Sequence, residues 1–187
     1  MNKIKKFVLP LLVILLIIIF YSMNKQSNPV AVIETNFGTI TAELSTKVPE
    51  THKNFVTLAK EGKYNGVPFH RIIGDFMIQT GDFENQNGTG GHSYLGEGTT
   101  IDEEFHSSLT HEYGALSMAE TAFPSTTGSQ FFIVQKKGGT PWLDNQHSVF
   151  GMVIEGMDIV EEIAALPTDI NDRPLTQAVI ESVTIQE

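Results

Sequence analysis

The sequence predicts a mainly β protein: a closed antiparallel barrel of about eight strands with two α-helices, preceded by an N-terminal hydrophobic helix. Three observations predict this fold class. Most apolar residues after position 29 alternate with polar ones, as they do in half-buried strands. Only two stretches show helical spacing, and they do not alternate with strands as a parallel sheet requires. A separate, uninterrupted apolar run lies near the start of the chain.

The apolar run covers residues 7–21 and follows a short basic stretch that contains Lys3, Lys5 and Lys6. Fifteen helical residues extend about 22 Å, between the length of a signal-peptide core and that of a full membrane span. The run carries no charge, so we expect it to enter lipid or the translocation machinery.

Residues 1–23 are therefore predicted to be either a cleaved signal peptide, which would release a secreted protein, or an uncleaved signal anchor. The three lysines before the run outnumber the single lysine shortly after it. This asymmetry predicts a cytoplasmic N-terminus and an extracytoplasmic domain in a single-pass membrane protein. Residues 24–29 are interpreted as a linker, and residues 30–187 as one domain.

The domain begins with a predicted β-hairpin. Val30–Thr35 and Thr39–Leu44 alternate or nearly alternate apolar and polar side chains, and the turn-forming residues 36–38 separate them.

Two amphipathic helices are predicted. In residues 48–61, Pro49 suits a first helical position, and the apolar spacing of Phe55, Leu58 and Ala59 indicates one buried face. A second helix is predicted over residues 157–166, where a proline follows and ends it.

The remaining strands are predicted from short β-type runs. These are Phe69–Ile73, Phe76–Gln79, Ala115–Ala119, Gln130–Gln135, Ser148–Ile154 and Ala178–Ile185. Successive side chains of a strand point to opposite faces, so one face of such a run can fill a barrel while the other forms an outer wall. Residues 82–112 show neither strand nor helix periodicity, and a loop this long in a compact domain indicates a functional role.

Charge and composition exclude several functions. The chain has 12 basic and 22 acidic side chains, a net charge of −10. Residues 1–29 hold four lysines and no acid, which leaves eight basic and 22 acidic groups, or −14, in residues 30–187. Such a surface repels phosphate backbones and argues against nucleic-acid binding. The absence of cysteine excludes disulfides, thiolate metal sites and a cysteine nucleophile.

Motifs for common catalytic sites are also missing. Ser129 lacks the second glycine of a nucleophile elbow, and the glycine run at residues 88–91 lacks the pattern of a phosphate-binding loop. His106 and His111, which lie among acidic residues, are candidates for a weak surface metal site, with a solvated polar loop as the alternative.

Four sequence blocks combine large apolar groups with amides, an arginine and a tryptophan. They are Phe69-His-Arg-Ile-Ile-Gly-Asp-Phe-Met-Ile-Gln79, Gly114-Ala-Leu-Ser-Met-Ala119, Gly128-Ser-Gln-Phe-Phe-Ile133 and Trp142-Leu-Asp-Asn-Gln-His-Ser-Val-Phe-Gly151. Arg71 is one of only two arginines in the chain, and the other, Arg173, lies in a polar turn near the C-terminus.

These blocks, in this order and spacing, resemble the cyclophilin family of peptidyl-prolyl cis/trans isomerases. The resemblance covers nearly all of residues 30–187 and implies an eight-stranded antiparallel barrel capped by two helices. It implies catalytic roles for Arg71, Phe76, Gln79 and Phe132. It implies substrate-binding roles for Met77, Ala119, Gln130, Trp142, Leu143 and His147.

The implied activity is rotation about X-Pro bonds in unfolded or newly exported proteins, without a cofactor, a metal or a covalent intermediate. The partners are then proline-containing polypeptides and, by resemblance, cyclosporin-like cyclic peptides. We expect a monomer. Glu120 departs from the family pattern, and we hypothesise that its carboxylate favours basic or neutral peptides and weakens cyclosporin binding. The alternatives are a module of the same fold that binds proline peptides without catalysis, and a scaffold docked to a membrane partner.

Overall fold

The computed structural model describes residues 28–121 and 126–187. The predicted signal segment, residues 1–23, lies outside the described residues. Within the described ranges, no helix combines the length and apolar character that crossing a bilayer requires.

Nine strands form a single sheet in which all pairs are antiparallel. They are β1 (Val30–Thr35), β2 (Gly38–Leu44), β3 (Val67–Pro68), β4 (Arg71–Ile73), β5 (Met77–Thr80), β6 (Ala115–Met118), β7 (Phe131–Val134), β8 (Val149–Glu155) and β9 (Val179–Gln186). The mainly β, antiparallel prediction is confirmed.

The sheet is curled. Its strand order is β3-β9-β1-β2-β8-β6-β7-β5-β4, so the two outermost strands, β3 and β4, are consecutive in the chain. Only Phe69 and His70 separate them. Two edges joined by so short a connection must lie close together, because the three Cα–Cα steps from Pro68 to Arg71 span at most about 11 Å.

The strand count differs from the predicted eight at this same point. The run Phe69–Ile73 was expected to be one strand, but Phe69 and His70 lie outside the ladders and only Arg71–Ile73 is paired with β5. The amide of Phe69 instead donates to the carbonyl of Ala178 beside β9, while the amide of Ile72 donates to Asp172. The predicted strand is therefore shortened to Arg71–Ile73, and the additional strand, β3, pairs with β9 just before it.

The first hairpin forms as predicted, with Val30 opposite Glu43 and Thr35 opposite Gly38. The buried hydroxyl of Thr35 holds the turn. It accepts hydrogen bonds from the amides of Phe37 and Gly38, each 3.1 Å long, and donates to the Gly38 carbonyl over 2.7 Å.

Two helices lie against the sheet, α1 (Pro49–Lys60) and α2 (Met157–Ala164). Both lie within the predicted ranges. The predicted apolar face of α1 is buried, and the ring of Phe55 stacks on Tyr64 with centroids 5.2 Å apart. The same ring meets Phe131 edge-on at 5.3 Å. A short 3₁₀ turn, Pro141–Leu143, precedes β8.

Strand β7 divides two apolar clusters. Phe131 and Ile133 belong to the main core, whereas Phe132 and Val134 belong to a smaller cluster on the other face that includes Met77. The alternation predicted for this strand is therefore confirmed, and it places Phe132 on the wall of the site described next.

Candidate active site

A cavity of about 760 Å³ opens over the outer face of β4, β5 and β7. It gathers residues that are far apart in the sequence. Its lining includes His70, Arg71, Phe76, Met77, Gln79, Asn87, Gly88, Ala119, Glu120, Phe132, Leu143, His147, Asp169, Asn171 and Arg173. Eight of the ten predicted site residues are among them, and the other two, Gln130 and Trp142, are adjacent to the cavity.

Strand register aligns three of the predicted residues. Arg71 of β4 is directly opposite Gln79 of β5, and Gln79 is directly opposite Phe132 of β7. Directly opposed residues place their side chains on the same face of a sheet. Arginine, amide and aromatic ring therefore form one row across the cavity floor.

Hydrogen bonds fix the polar part of that row. A terminal guanidinium nitrogen of Arg71 donates to Gln79 Oε1 over 3.4 Å, and Gln79 Nε2 donates to Gln130 Oε1 over 3.0 Å. Gln130 Nε2 in turn donates to the carbonyls of Gly88 and Gly90 over 3.1 and 2.7 Å. Gln130 thus orients Gln79 and lines a neighbouring hollow of about 340 Å³.

The apolar part of the cavity is firmly packed. Met77 and Phe132 are only 2 % and 5 % exposed, while Phe76, Ala119 and Leu143 pack around them as partly buried groups. Shallow apolar surface of this kind, beside a few fixed polar groups, is typical of a small-ligand site.

Trp142 is placed outside the cavity lining. Its ring is 55 % exposed and lies against Phe76, with centroids 6.3 Å apart. Trp142 therefore packs against a residue of the cavity lining, at the lip of the cavity, and remains largely exposed itself.

His147 stands edge-on to Phe132, with centroids 5.7 Å apart. Its Nδ1 lies 3.2 Å from the carbonyl of Met118, and because a carbonyl only accepts, Nδ1 carries the proton. Burial lowers the pKa of His147. The ring is therefore neutral at neutral pH and held at a fixed orientation.

A single buried carboxylate organises the loop beside the cavity. Asp82 Oδ1 accepts hydrogen bonds from the amides of Glu84 and Asn85, and Oδ2 accepts from those of Asn87, Gly88 and Gly90. Burial by itself would raise the pKa of Asp82, but the backbone donors outweigh it and lower the pKa to about 2. These bonds fix the glycine carbonyls that receive Gln130.

Glu120 brings a carboxyl group to the opposite rim. Its Oε1 accepts a hydrogen bond from the hydroxyl of Thr127 over 2.7 Å. Burial, assisted by the neighbouring charge of Glu103, raises the pKa of Glu120 to about 7. The rim charge therefore changes near neutral pH.

His106 and His111 do not come together as a surface metal site, and the alternative, a solvated polar loop, describes His106 but is wrong for His111. His111 is buried, with both ring nitrogens hydrogen-bonded to protein groups, whereas His106 is exposed and bonds locally to Ser108. Within residues 28–121 and 126–187, no cluster of three or more histidine and acidic side chains suits a metal ion.

Sequence reasoning missed the contribution of the turn at residues 169–173. Arg173, interpreted only as part of a polar turn, lines the same cavity as Arg71, so both arginines of the chain meet there. Asp172 from this turn lies beside Arg71. Nothing in the local sequence pattern links a turn 100 residues away to β4.

The fold and sequence are similar to those of known proteins. A sequence profile described as cyclophilin type peptidyl-prolyl cis-trans isomerase matches residues 30–185. A Staphylococcus epidermidis protein, provisionally named a peptidyl-prolyl cis-trans isomerase, is 42 % identical and aligns over 88 % of this chain and 97 % of its own. A Staphylococcus saprophyticus protein with the same provisional name is 44 % identical over 83 % of this chain and 91 % of its own.

Solved structures give the same result. A Cryptosporidium parvum cyclophilin-type peptidyl-prolyl cis-trans isomerase, determined in the presence of the dipeptide Ala-Pro, superimposes with a TM-score of 0.78. It is 33 % identical, and the match covers 84 % of this chain and 99 % of that one.

Proposed function

Because the chain belongs to the cyclophilin-type peptidyl-prolyl cis-trans isomerases, it catalyses rotation about the peptide bond before proline, and we propose that Arg71 performs this catalysis beside an apolar proline site. The observation that carries the assignment is the row formed by Arg71, Gln79 and Phe132 across one cavity. It sets a permanent positive charge beside an apolar wall.

The chemistry follows from amide resonance. Partial double-bond character in the C–N bond creates a rotation barrier of about 18–20 kcal/mol. A guanidinium that donates to the prolyl nitrogen, or to the carbonyl oxygen as it turns, stabilises the twisted state more than either planar state. Arginine keeps its charge at all ordinary pH values. No proton is transferred and no covalent bond to the enzyme forms.

The other side chains position the substrate. We propose that Phe76, Met77, Phe132 and Leu143 contact the pyrrolidine ring, while Gln79, Gln130, Ala119 and His147 bind the backbone on either side. Trp142 extends the surface at the lip. The occupant is a proline-containing polypeptide, in keeping with the dipeptide used with the Cryptosporidium relative. The protein acts as a monomer in this proposal, which sedimentation of the purified chain tests.

The test is exchange kinetics on an Ala-Pro tetrapeptide. Arg71→Ala should lose most of the catalysed rate and keep its fold, and Arg71→Lys should recover little, because a lysine ammonium lacks the planar guanidinium. Lys60→Ala is the matched control, since Lys60 is also an ion-paired surface cation but lies on α1. A wild-type rate in Arg71→Ala would overturn the catalytic assignment. A wild-type protein with little rate but clear peptide binding would instead indicate a binding module.

The predicted barrel closure also becomes a proposal. We propose that β3 and β4 act as one interrupted strand that closes the sheet into the eight-stranded barrel. Support comes from the hydroxyl of Thr80 in β5, which donates to the carbonyl of Pro68 in β3 over 2.9 Å. A nuclear Overhauser contact between Thr80 and Pro68 in solution would agree with closure, and its absence would contradict it.

We further propose that residues 1–23 anchor the protein in the cell membrane, with the catalytic domain outside, where it acts on newly exported proteins. The support is the charge asymmetry and the apolar run of the sequence. Recovery in the membrane fraction, with the domain accessible to added protease on cells without a wall, would agree. A shortened, soluble extracellular form would indicate signal cleavage instead.

A further inference from the structure

His111 lies behind the apolar wall and has no role in the proposed catalysis. The residue is 2 % exposed, and both ring nitrogens have partners. Nδ1 lies 2.7 Å from Asp144 Oδ1, and Nε2 lies 2.9 Å from Ser117 Oγ. A carboxylate only accepts hydrogen bonds, so Nδ1 donates to it, and burial lowers the pKa of His111, which keeps the ring neutral. Nε2 therefore accepts from the hydroxyl of Ser117.

The order serine, histidine, aspartate is that of a hydrolase triad, yet it cannot act as one here. Ser117 has no exposed surface and lies within β6, so no substrate atom can reach its oxygen. A different role must explain why two buried polar groups, His111 and Ser117, meet the partly exposed carboxylate of Asp144 at this point.

The backbone of His111 shows that role. Its amide donates to Asp144 Oδ1 over 2.9 Å, and its carbonyl accepts from the amide of Thr140 over 2.7 Å. Thr140 and Asp144 flank the 3₁₀ turn that carries Leu143. Three hydrogen bonds to one residue thus hold both ends of the turn that forms the lip of the cavity.

The same imidazole also lies against Phe132, a residue of the apolar wall. It lies nearly parallel to the ring of Phe132, at an angle of 13° with centroids 5.9 Å apart, and meets His147 edge-on at 6.3 Å. One buried side chain therefore touches the aromatic wall, the lip and the strand between them.

We propose that His111 is a positioning residue that fixes the separation between Phe132 and the Leu143 turn, and so sets the affinity of the site for the proline ring. The inference rests on the proposed function of this cavity. The residue acts through the width of the pocket, since the hydrogen bonds of its side chain go to Asp144 and Ser117 whereas the guanidinium of Arg71 is bonded to Gln79 and paired with Asp172. It should control binding and leave the chemical step unchanged.

The first test separates KM from kcat in His111→Phe, which keeps an aromatic ring against Phe132 but loses both side-chain hydrogen bonds. We expect KM for an Ala-Pro peptide to rise about tenfold and kcat to stay within twofold. His111→Asn should recover part of the affinity, because its amide nitrogen can donate to Asp144 from about the place of Nδ1.

Thr35→Val is the matched control, since Thr35 is another buried polar residue with three hydrogen bonds but holds the remote β1–β2 turn. It should lower stability and leave KM unchanged. If His111→Phe alters KM no more than Thr35→Val does, the proposal is wrong. A wild-type rate in Arg71→Ala would instead refute the catalytic assignment, whatever the His111 variants do.

Asp144→Ala provides a second approach if the core substitution prevents folding. The Asp144 side chain is partly exposed, so its removal spares the core. We expect the same rise in KM, together with a shift in the emission of Trp142, the only tryptophan, which lies in this turn. Unchanged KM and emission would show that the turn keeps its position without the link and would overturn the proposal.

Discussion

Arg71 Nε lies 3.5 Å from Asp172 Oδ2, and the two side chains are 43 % and 44 % exposed. Asp172 occupies a left-handed backbone position at φ 63°, and its carbonyl accepts a hydrogen bond from Ile72 of β4. The turn is thus bonded to the strand that carries the arginine. Its carboxylate restrains the guanidinium at the mouth of the cavity and leaves it open to solvent and substrate.

Asp172→Asn should therefore reduce activity modestly. An exposed ion pair contributes about 0.2–1 kcal/mol, so we expect kcat/KM on an Ala-Pro peptide to fall about two- to fivefold through greater freedom of Arg71. The loss should diminish in high salt, where the wild-type pair is itself screened. A rate above that of the wild type would mean that Asp172 competes with the substrate for the arginine.

Substitution of Asp82 should have a larger effect, in this case on the stability of the fold. Its five backbone donors hold the pKa at about 2, below the unfolded value, so it contributes stability above pH 4 that is lost as the pH falls through 2. Asp82→Asn turns one acceptor into a donor that faces amide hydrogens. We expect a loss of about 3 kcal/mol in the free energy of unfolding at pH 7, measured by urea denaturation.

The same substitution should affect the site. Gln130 donates to the carbonyls of Gly88 and Gly90, which the Asp82 bonds hold in place. KM should therefore rise in Asp82→Asn, while the amides of residues 84–90 lose protection from hydrogen exchange. Full protection of these amides in the variant would show that the loop has another support.

The ten site residues implied by the family resemblance include strand residues such as Phe132 and turn or loop residues such as Leu143 and His147, and eight of the ten line the cavity. Alternation in residues 130–135 predicts that Phe131 and Phe132 lie on opposite faces of one strand, the resemblance assigns Phe132 to the site, and the structure places Phe131 in the core and Phe132 on the wall. The contribution of Asp82 could not be predicted in this way, since its role depends on five amides of an aperiodic loop. The contact between Asp172 and Arg71 could not be predicted either, because Asp172 lies in a turn about 100 residues further along the chain that meets β4 only in the folded protein.

The burial of polar residues was harder to predict from the sequence. His111 follows a threonine and precedes a glutamate, and such a segment indicates an exposed loop. Its burial is favourable only because two groups satisfy both ring nitrogens. Asp144, which is distant in sequence, accepts from Nδ1, and Ser117, on the strand that follows, donates to Nε2. The division between β3 and β4 has a similar origin, because Phe69 and Ile72 find different carbonyl partners in segments near the C-terminus.

Glu120 should make the stability depend on pH with the opposite sign to Asp82. Its pKa is raised to about 7 in the folded protein, so its contribution to stability is complete below about pH 4.5 and is lost as the pH rises through 7. Glu120→Gln should therefore be more stable than the wild type at pH 8, by about 1–3 kcal/mol, and the difference should shrink at pH 5. Urea denaturation at the two pH values measures it.

Glu103→Gln is the control for the cause of this shift. Burial is the larger cause and remains, but the neighbouring charge is removed, so the stability transition of the wild type near pH 7 should move to lower pH. A transition that stays at the same pH would show that Glu103 does not act on Glu120.

The rim carboxyl should also set a charge preference in the substrate. Glu120 lines the cavity and the neighbouring hollow that Gln130 borders, so a cationic side chain near the proline can approach it. We expect kcat/KM for a lysine-containing Ala-Pro peptide to exceed that of its glutamate analogue at pH 8, where Glu120 is charged. The ratio should fall by pH 5.5, where the carboxyl is protonated, and should be small at both pH values in Glu120→Gln.

By the same reasoning, Glu120→Asn should bind cyclosporin more tightly than the wild type, as calorimetry can measure. A ratio that is the same in the wild type and Glu120→Gln, together with equal cyclosporin affinities, would assign the preference to the overall negative charge of the domain.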